Sequence, residues 1–218
     1  MTTVLTDIEG TTTPIAFVRD VLFPFARSRL PDVLRGQANR PDIAAELAEI
    51  GRLAPGKDPV RAVLDWMDED AKVTPLKTLQ GIVWHEGYQS GEIRGALYPD
   101  VAPAFRAWTA AGHRIAIYSS GSEAAQRLLF AHSEAGDLSP LIAGYFDTRI
   151  GAKAEAASYG RIAAALGTQD IIFLSDIERE LDAAAAAGLR TCQLVRWQDG
   201  TTPSTKHKLV NDFSLIQP

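Results

Sequence analysis

Thiols are nearly absent from this sequence: Cys192 is its one cysteine, so no internal disulfide can form. The fold must be held by its core, and 218 residues suffice for one substantial domain or a core with a smaller insertion. Long apolar runs are missing too: none approaches the roughly 20 residues of a membrane span. No basic segment followed by an apolar one opens the chain, so no signal peptide is read and a reducing, cytoplasmic setting is expected. Positive charge is in short supply, with 22 Lys and Arg against 27 Asp and Glu and a net charge of −5. That balance offers no basic patch for a nucleic-acid backbone, so neither nucleic acid nor membrane is expected as a partner. A small phosphorylated metabolite still fits, if a metal and one or two cations sit at its site. The four histidines and the lone cysteine form no cluster for zinc, and there are no repeats or low-complexity linkers.

What is present is a globular pattern: 46% hydrophobic and 22% charged residues exclude a disordered chain. Four short apolar runs, at 2–6, 114–118, 171–174 and 191–195, read as strands buried on both faces. Helical patterns alternate with them. Val101, Phe105 and Trp108 run up to Gly112, and Tyr159, Ile162, Ala163 and Leu166 to Gly167. The alanines of 183–187 end at Gly188. Residues 17–95 differ, because they hold helical stripes and no strand. The stripes are Val18/Val21/Leu22/Phe25, with Pro24 expected to bend or break it, then Ile43/Leu47/Ile50, Val60/Val63/Leu64/Met67 and Leu76/Leu79/Val83. Asp58-Pro59 and Thr74-Pro75 mark the starts of the last two. The expected fold is α/β: a Rossmann-like parallel sheet core over 1–16 and 96–218, with a helical cap domain of 17–95 inserted after the first strand. The tail is expected to add an edge strand around Leu209-Val210 and Phe213-Ser214-Leu215.

In an open parallel sheet, ligands bind beyond the carboxyl ends of the strands. Three of the four runs end there in reactive polar residues: Asp7 and Glu9, then Ser119 and Ser120, then Asp176. Lys153 leads another helix just after Ile150-Gly151. Any one of these is an ordinary turn or cap residue; their recurrence on one edge is harder to dismiss. Two carboxylates about 4 Å apart repel by roughly 4 kcal/mol at an effective dielectric of 20. If Asp7, Asp176 and Glu180 meet, one must carry a proton or a cation must join them, and a hard cation held by one or two carboxylates is magnesium. In Asp7-Ile8-Glu9-Gly10-Thr11 a second acid follows the first across a tight turn. Glu9 can there protonate a departing alcohol and later activate water, while Asp7 serves as nucleophile.

That segment resembles the first motif of the haloacid dehalogenase superfamily. The further motifs follow in order: Ser119 closing the second strand, Lys153 leading a helix, and Asp176 with Glu180 four residues on. Residues 5–12 and 118–122, and the stretches 129–133 and 144–148, are similar to the enolase-phosphatase family of methionine salvage. So is Trp84-His85-Glu86-Gly87-Tyr88; between about 35 and 75 the likeness thins. The resemblance implies a magnesium-dependent phosphoric monoester hydrolase. Asp7 would accept the phosphoryl group and, with Asp176 and the Glu9 carbonyl, hold Mg²⁺. The Glu9 side chain would act as acid and base, Glu180 would support the metal residues, and Lys153 would balance phosphoryl charge. Ser119 and Ser120 would bind substrate oxygens. The substrate implied is 2,3-diketo-5-methylthiopentyl-1-phosphate, enolised and then dephosphorylated to an acireductone by a monomeric enzyme. Phe17, Trp84 and Tyr88 are candidates for its apolar end.

The nearest rival is a relative in the same superfamily acting on phosphoglycolate or a sugar phosphate. A dehalogenase has no use for the acid at Glu9, and a signalling receiver module lacks a helical insertion ahead of its second strand. His85 and Cys192 read as packing residues, His132 as a helix end, His113 and His207 as surface, and Glu178 as solvated.

Overall fold

All four residues of β1 (Thr3–Thr6) are buried, as befits a strand with neighbours on both edges and helices on both faces. The computed structural model describes residues 1–218. The other strands are β2 (Arg114–Tyr118), β3 (Ile142–Phe146), β4 (Ile171–Ser175), β5 (Arg190–Leu194) and β6 (Lys208–Val210). They form one six-stranded sheet in the order β3-β2-β1-β4-β5-β6, parallel at every pairing. β1 therefore lies at the point where the strand order reverses, with Thr6 opposite Ile117 on one side and Leu174 on the other.

Two of these strands depart from the sequence reading. β3 was not expected: only Tyr145 of its five residues is buried, and Ala143 and Gly144 weaken any apolar run that would mark it. β6 confirms an edge strand at Leu209-Val210, but Phe213–Leu215 is a 3₁₀ turn instead. The Asp212 carboxylate accepts from the Ser214 amide at 2.7 Å and so fixes a turn where a strand needs extended backbone.

The chain divides into two compact units, Met1–Phe17 with Arg94–Pro218, and Val18–Ile93. In the first, a single helical turn, α1 (Ile15–Phe17), follows the loop after β1. The second unit opens on a π-helical segment, Val18–Leu22, and continues as α2 (Phe23–Gly36), α3 (Pro41–Leu53), α4 (Pro59–Asp68) and α5 (Thr74–Ser90). Pro24 does not break the helical path: it falls in the first turn of α2, where the chain passes from π- to α-helical with Leu22 still at φ −65° and ψ −50°. Asp58 caps α4 by accepting from the Arg61 amide at 2.9 Å. Leu30, Ile43, Ile50, Val63 and Leu79 form this unit's dry interior. Gly87 lets α5 approach α2, since a Cβ there would lie 2.6 Å from the Phe25 ring.

The sheet unit is completed by α6 (Val101–Ala110), α7 (Glu123–Ala131), α8 (Ala156–Leu166) and α9 (Glu178–Ala186). Tyr159 and Ile162 of α8 and Leu181 and Ala184 of α9 pack with Leu5 and Phe173 in one cluster. A separate aromatic stack joins Phe105 and Trp108 of α6 to Phe130 and Phe213. No helix is long and apolar enough to cross a membrane.

Candidate active site

The Asp7 amide donates to the Leu174 carbonyl at 2.9 Å, which continues the β1–β4 ladder and sets Asp7 beside the start of the β4 exit loop. Beyond it the backbone turns sharply: the amides of Thr11, Thr12 and Thr13 all donate to the Ile8 carbonyl, and the Gly10 amide donates to Thr13 O. Gly10 has φ +71°, and a Cβ on it would sit 2.5 Å from Asp176 Oδ2. Glycine is thus required twice, for a left-handed backbone and for space beside a carboxylate. Asp176 leaves β4 with its amide donating to Thr11 Oγ1 at 3.0 Å. Asp7 and Asp176 are 5% and 7% exposed, so two carboxylates on neighbouring strands share one water-poor corner.

Lys153 enters from the turn ahead of α8. Its Nζ is 2.6 Å from Asp7 Oδ1 and 2.6 Å from Glu180 Oε2. The loop that carries it is tied down by two tyrosines: Tyr159 OH donates to Lys153 O at 2.7 Å and Tyr118 OH to Gly151 O at 2.9 Å. Glu180, in the first turn of α9, accepts from Ser175 Oγ at 2.9 Å. Ser119, directly after β2, is buried, and its amide donates to Phe146 O at 3.1 Å. Its Oγ accepts from the Gly121 amide at 3.2 Å. Ser120 and Glu9 are exposed.

Three acids face one lysine here. Burial, and next the Asp7 charge, push the Asp176 carboxyl up to about 7. Glu180 is raised for the same two reasons, against the pull of Lys153. Burial disfavours the Lys153 ammonium, but Asp7 and Glu180 outweigh it and hold its pKa above the ordinary lysine value. Burial and mutual repulsion thus oppose ionising all three acids together. No group of three or more His, Cys, Asp or Glu side chains is placed to hold a metal ion. A small hard cation needs only one or two carboxylates, with backbone carbonyls, water and substrate oxygens, and Asp7 and Asp176 are two buried carboxylates on adjoining strand exits.

The structure therefore brings together Asp7, Lys153, Asp176 and Glu180, and sets Ser119 at the end of the strand next to β1. Trp84 and Tyr88 are spent inside the helical unit: Trp84 Nε1 donates to Leu22 O at 2.8 Å and its ring packs on Phe23, while Tyr88 is 3% exposed. His207 is not the surface residue expected. Its side chain is buried, with Nδ1 2.8 Å from Thr191 Oγ1 and Nε2 3.0 Å from Asp182 Oδ1, and it fastens β6 to β5 and α9. Glu178 pairs with Lys206 at the surface. Sequence reasoning placed Tyr118, Tyr159 and Gln193 only as strand and helix residues and missed what they hold at the site. Gln193 Nε2 donates to Asp176 O at 2.7 Å and Thr202 O at 3.0 Å, and its Oε1 accepts from the Ser204 amide. A glutamine inside an apolar strand was the available signal, because a buried amide needs partners.

The family model of the haloacid dehalogenase-like hydrolases matches residues 1–188. A protein of Gluconacetobacter diazotrophicus named Enolase-phosphatase E1 is 54% identical over 215 residues, covering 98% of this chain and 92% of its own. A protein of the same name from Granulibacter bethesdensis is 54% identical over 216 residues, covering 98% and 94%. Among solved structures, the UTR4 protein of Saccharomyces cerevisiae superposes with a TM-score of 0.87 at 33% identity, covering 99% of both chains.

Proposed function

The chain belongs to the haloacid dehalogenase-like hydrolases, and from that premise we propose that it is an enolase-phosphatase of methionine salvage. It converts 2,3-diketo-5-methylthiopentyl-1-phosphate to the acireductone and inorganic phosphate. One observation carries the phosphatase half: Asp7, held by Lys153 at 2.6 Å, lies on the strand next to Asp176 at the switch point of the sheet.

In our reading a free oxygen of Asp7 attacks phosphorus in line, the ester P–O bond breaks, and the Glu9 side chain gives its proton to the departing oxygen. Glu9 then takes a proton from water, which attacks the aspartyl phosphate and releases phosphate and the Asp7 carboxylate. Lys153 fixes one Asp7 oxygen and balances charge on the phosphoryl group as it moves. Ser119, whose oxygen is held by the Gly121 amide, donates its O–H to a phosphate oxygen, and Ser120 binds a neighbouring one. Asp7, Asp176 and the Glu9 carbonyl would hold Mg²⁺, which when bound supplies positive charge to the phosphoryl oxygens. Enolisation removes a proton from the carbon that bears the phosphate ester, with Glu9 or an acid of the helical unit as base. We assign that unit the role of substrate-selecting cap, and the enzyme a monomeric state and a cytoplasmic setting.

Incubating the protein with the diketo-phosphate and Mg²⁺ tests this, with inorganic phosphate and the ultraviolet absorbance of the acireductone followed together. Both signals rising in step are expected. Phosphate without the enol product would leave a generic phosphatase, and neither signal would refute the assignment.

A further inference from the structure

Arg196 lies two residues beyond β5 and is 4% exposed, yet it is not part of the acid–lysine cluster. Its guanidinium spends its donors on backbone and on one carboxylate. Nε and Nη2 both reach the Thr11 carbonyl, at 3.2 and 3.0 Å. Nη1 donates to Asn211 O at 3.1 Å, and Nη2 to Asp100 Oδ2 at 2.9 Å. The Tyr98 and Phe213 rings lie against it, with centroids 4.0 and 5.4 Å from Cζ. Asp100 is itself buried and also accepts from the Phe213 amide at 2.7 Å. The pair is therefore closed on itself in charge, so Arg196 has little field to offer a phosphate; what it offers is a fixed direction.

That direction ends on Thr11. The carbonyl of Thr11 receives the Arg196 fork, and its hydroxyl oxygen receives the Asp176 amide at 3.0 Å. One residue of the loop after β1 is thereby clamped between the chain just beyond β5 and the loop after β4. The neighbouring carbonyl of Thr12 is held as well, by the Tyr98 amide at 3.0 Å. Asp7 and Asp176 are like charges in a buried corner, and their repulsion acts to spread these two loops. A two-pronged donor on one carbonyl resists rotation as well as displacement, which a lysine cannot do.

We propose that Arg196, with Asp100 as its counter-ion, is a positioning residue that holds the Asp7 and Asp176 loops at the separation one divalent cation requires, acting through Thr11. The inference rests on the metal reading of the site given above. Removing a partner behind the ligating residues of a metal site typically weakens the site about 10–100-fold.

The test is calorimetric titration of the substrate-free protein with Mg²⁺ alone, on wild type and on Arg196→Met/Asp100→Asn. The double variant removes both buried charges together and keeps an acceptor for the Phe213 amide, so no lone charge is left buried. Its Mg²⁺ affinity is expected to fall about tenfold or more, with the KM for phosphate ester at saturating Mg²⁺ changed less than about twofold. A double variant that binds Mg²⁺ within about fivefold of wild type overturns the proposal while the enzymatic reading stands. Wild type that takes up no Mg²⁺ overturns the metal reading itself, and this inference with it. Should the double variant not fold, Arg196→Lys carries the same thresholds, because it keeps the charge and loses the fork.

Discussion

Lys153 Nζ sits 2.6 Å from Asp7 Oδ1 and, on its other side, 2.6 Å from Glu180 Oε2. One ammonium thus joins the end of β1 to the first turn of α9 in a place where its side chain is 11% exposed. Lys153→Met leaves those carboxylates buried without their cation. Loss of one partner of a buried pair costs about 3–5 kcal/mol, to be read from urea unfolding at pH 8. The loss should shrink toward pH 4, where the carboxyls take up protons; equal destabilisation at both pH values would count against the ion pair as its origin.

Asp7→Asn keeps the shape of the side chain and removes its nucleophilicity. Phosphate release should drop on the order of 10⁴-fold, with the circular dichroism spectrum unchanged. A rate above about a thousandth of wild type would mean that another residue accepts the phosphoryl group.

The Asp176 carboxyl provides a pH signature in protein stripped of metal. Burial, and then the Asp7 charge, raise it from the ordinary 3.8 to about 7. Between those values the folded chain keeps a proton that the unfolded chain has released, so folding is favoured by that proton. The contribution is complete below 3.8 and is lost as pH rises to about 7. With chelator present, Asp176→Asn should gain in melting temperature relative to wild type as pH rises from 4 to 7, and level off above. A difference that stays flat across this window would show that Asp176 does not titrate there.

Gly10→Ala places a methyl group 2.5 Å from Asp176 Oδ2 on a backbone with φ +71°. The left-handed conformation alone costs of order 1–3 kcal/mol for a residue with a side chain. Stability by urea unfolding should fall by at least about 1 kcal/mol, and phosphatase activity should fall further than stability explains. Wild-type activity in this variant would mean that the loop has room to spare around Asp176.

Much of the fold was legible because its signals are local. β1, β2, β4 and β5 are apolar runs bounded by polar turns, and the helical stripes of 18–93 repeat at the period of the α-helix. β3 was not, because an edge strand with Ala143 and Gly144 carries little burial pattern. His207 was misjudged because its place between Thr191 and Asp182 depends on the pairing of β5 with β6.

By itself, the sequence determined where its candidate site residues stand along the chain. Asp7, Glu9, Ser119, Lys153, Asp176 and Glu180 each stand at a strand exit or helix start, and that order is a property of the chain. Tertiary structure alone decided what those residues meet. The Lys153 bridge between Asp7 and Glu180, the raised Asp176 carboxyl, and the Arg196 fork on Thr11 all arise from strand order and burial. The physical reason is distance: Coulomb and hydrogen-bond energies fall within a few ångströms, and residues far apart in the chain come that close only when the sheet sets β1 beside β4.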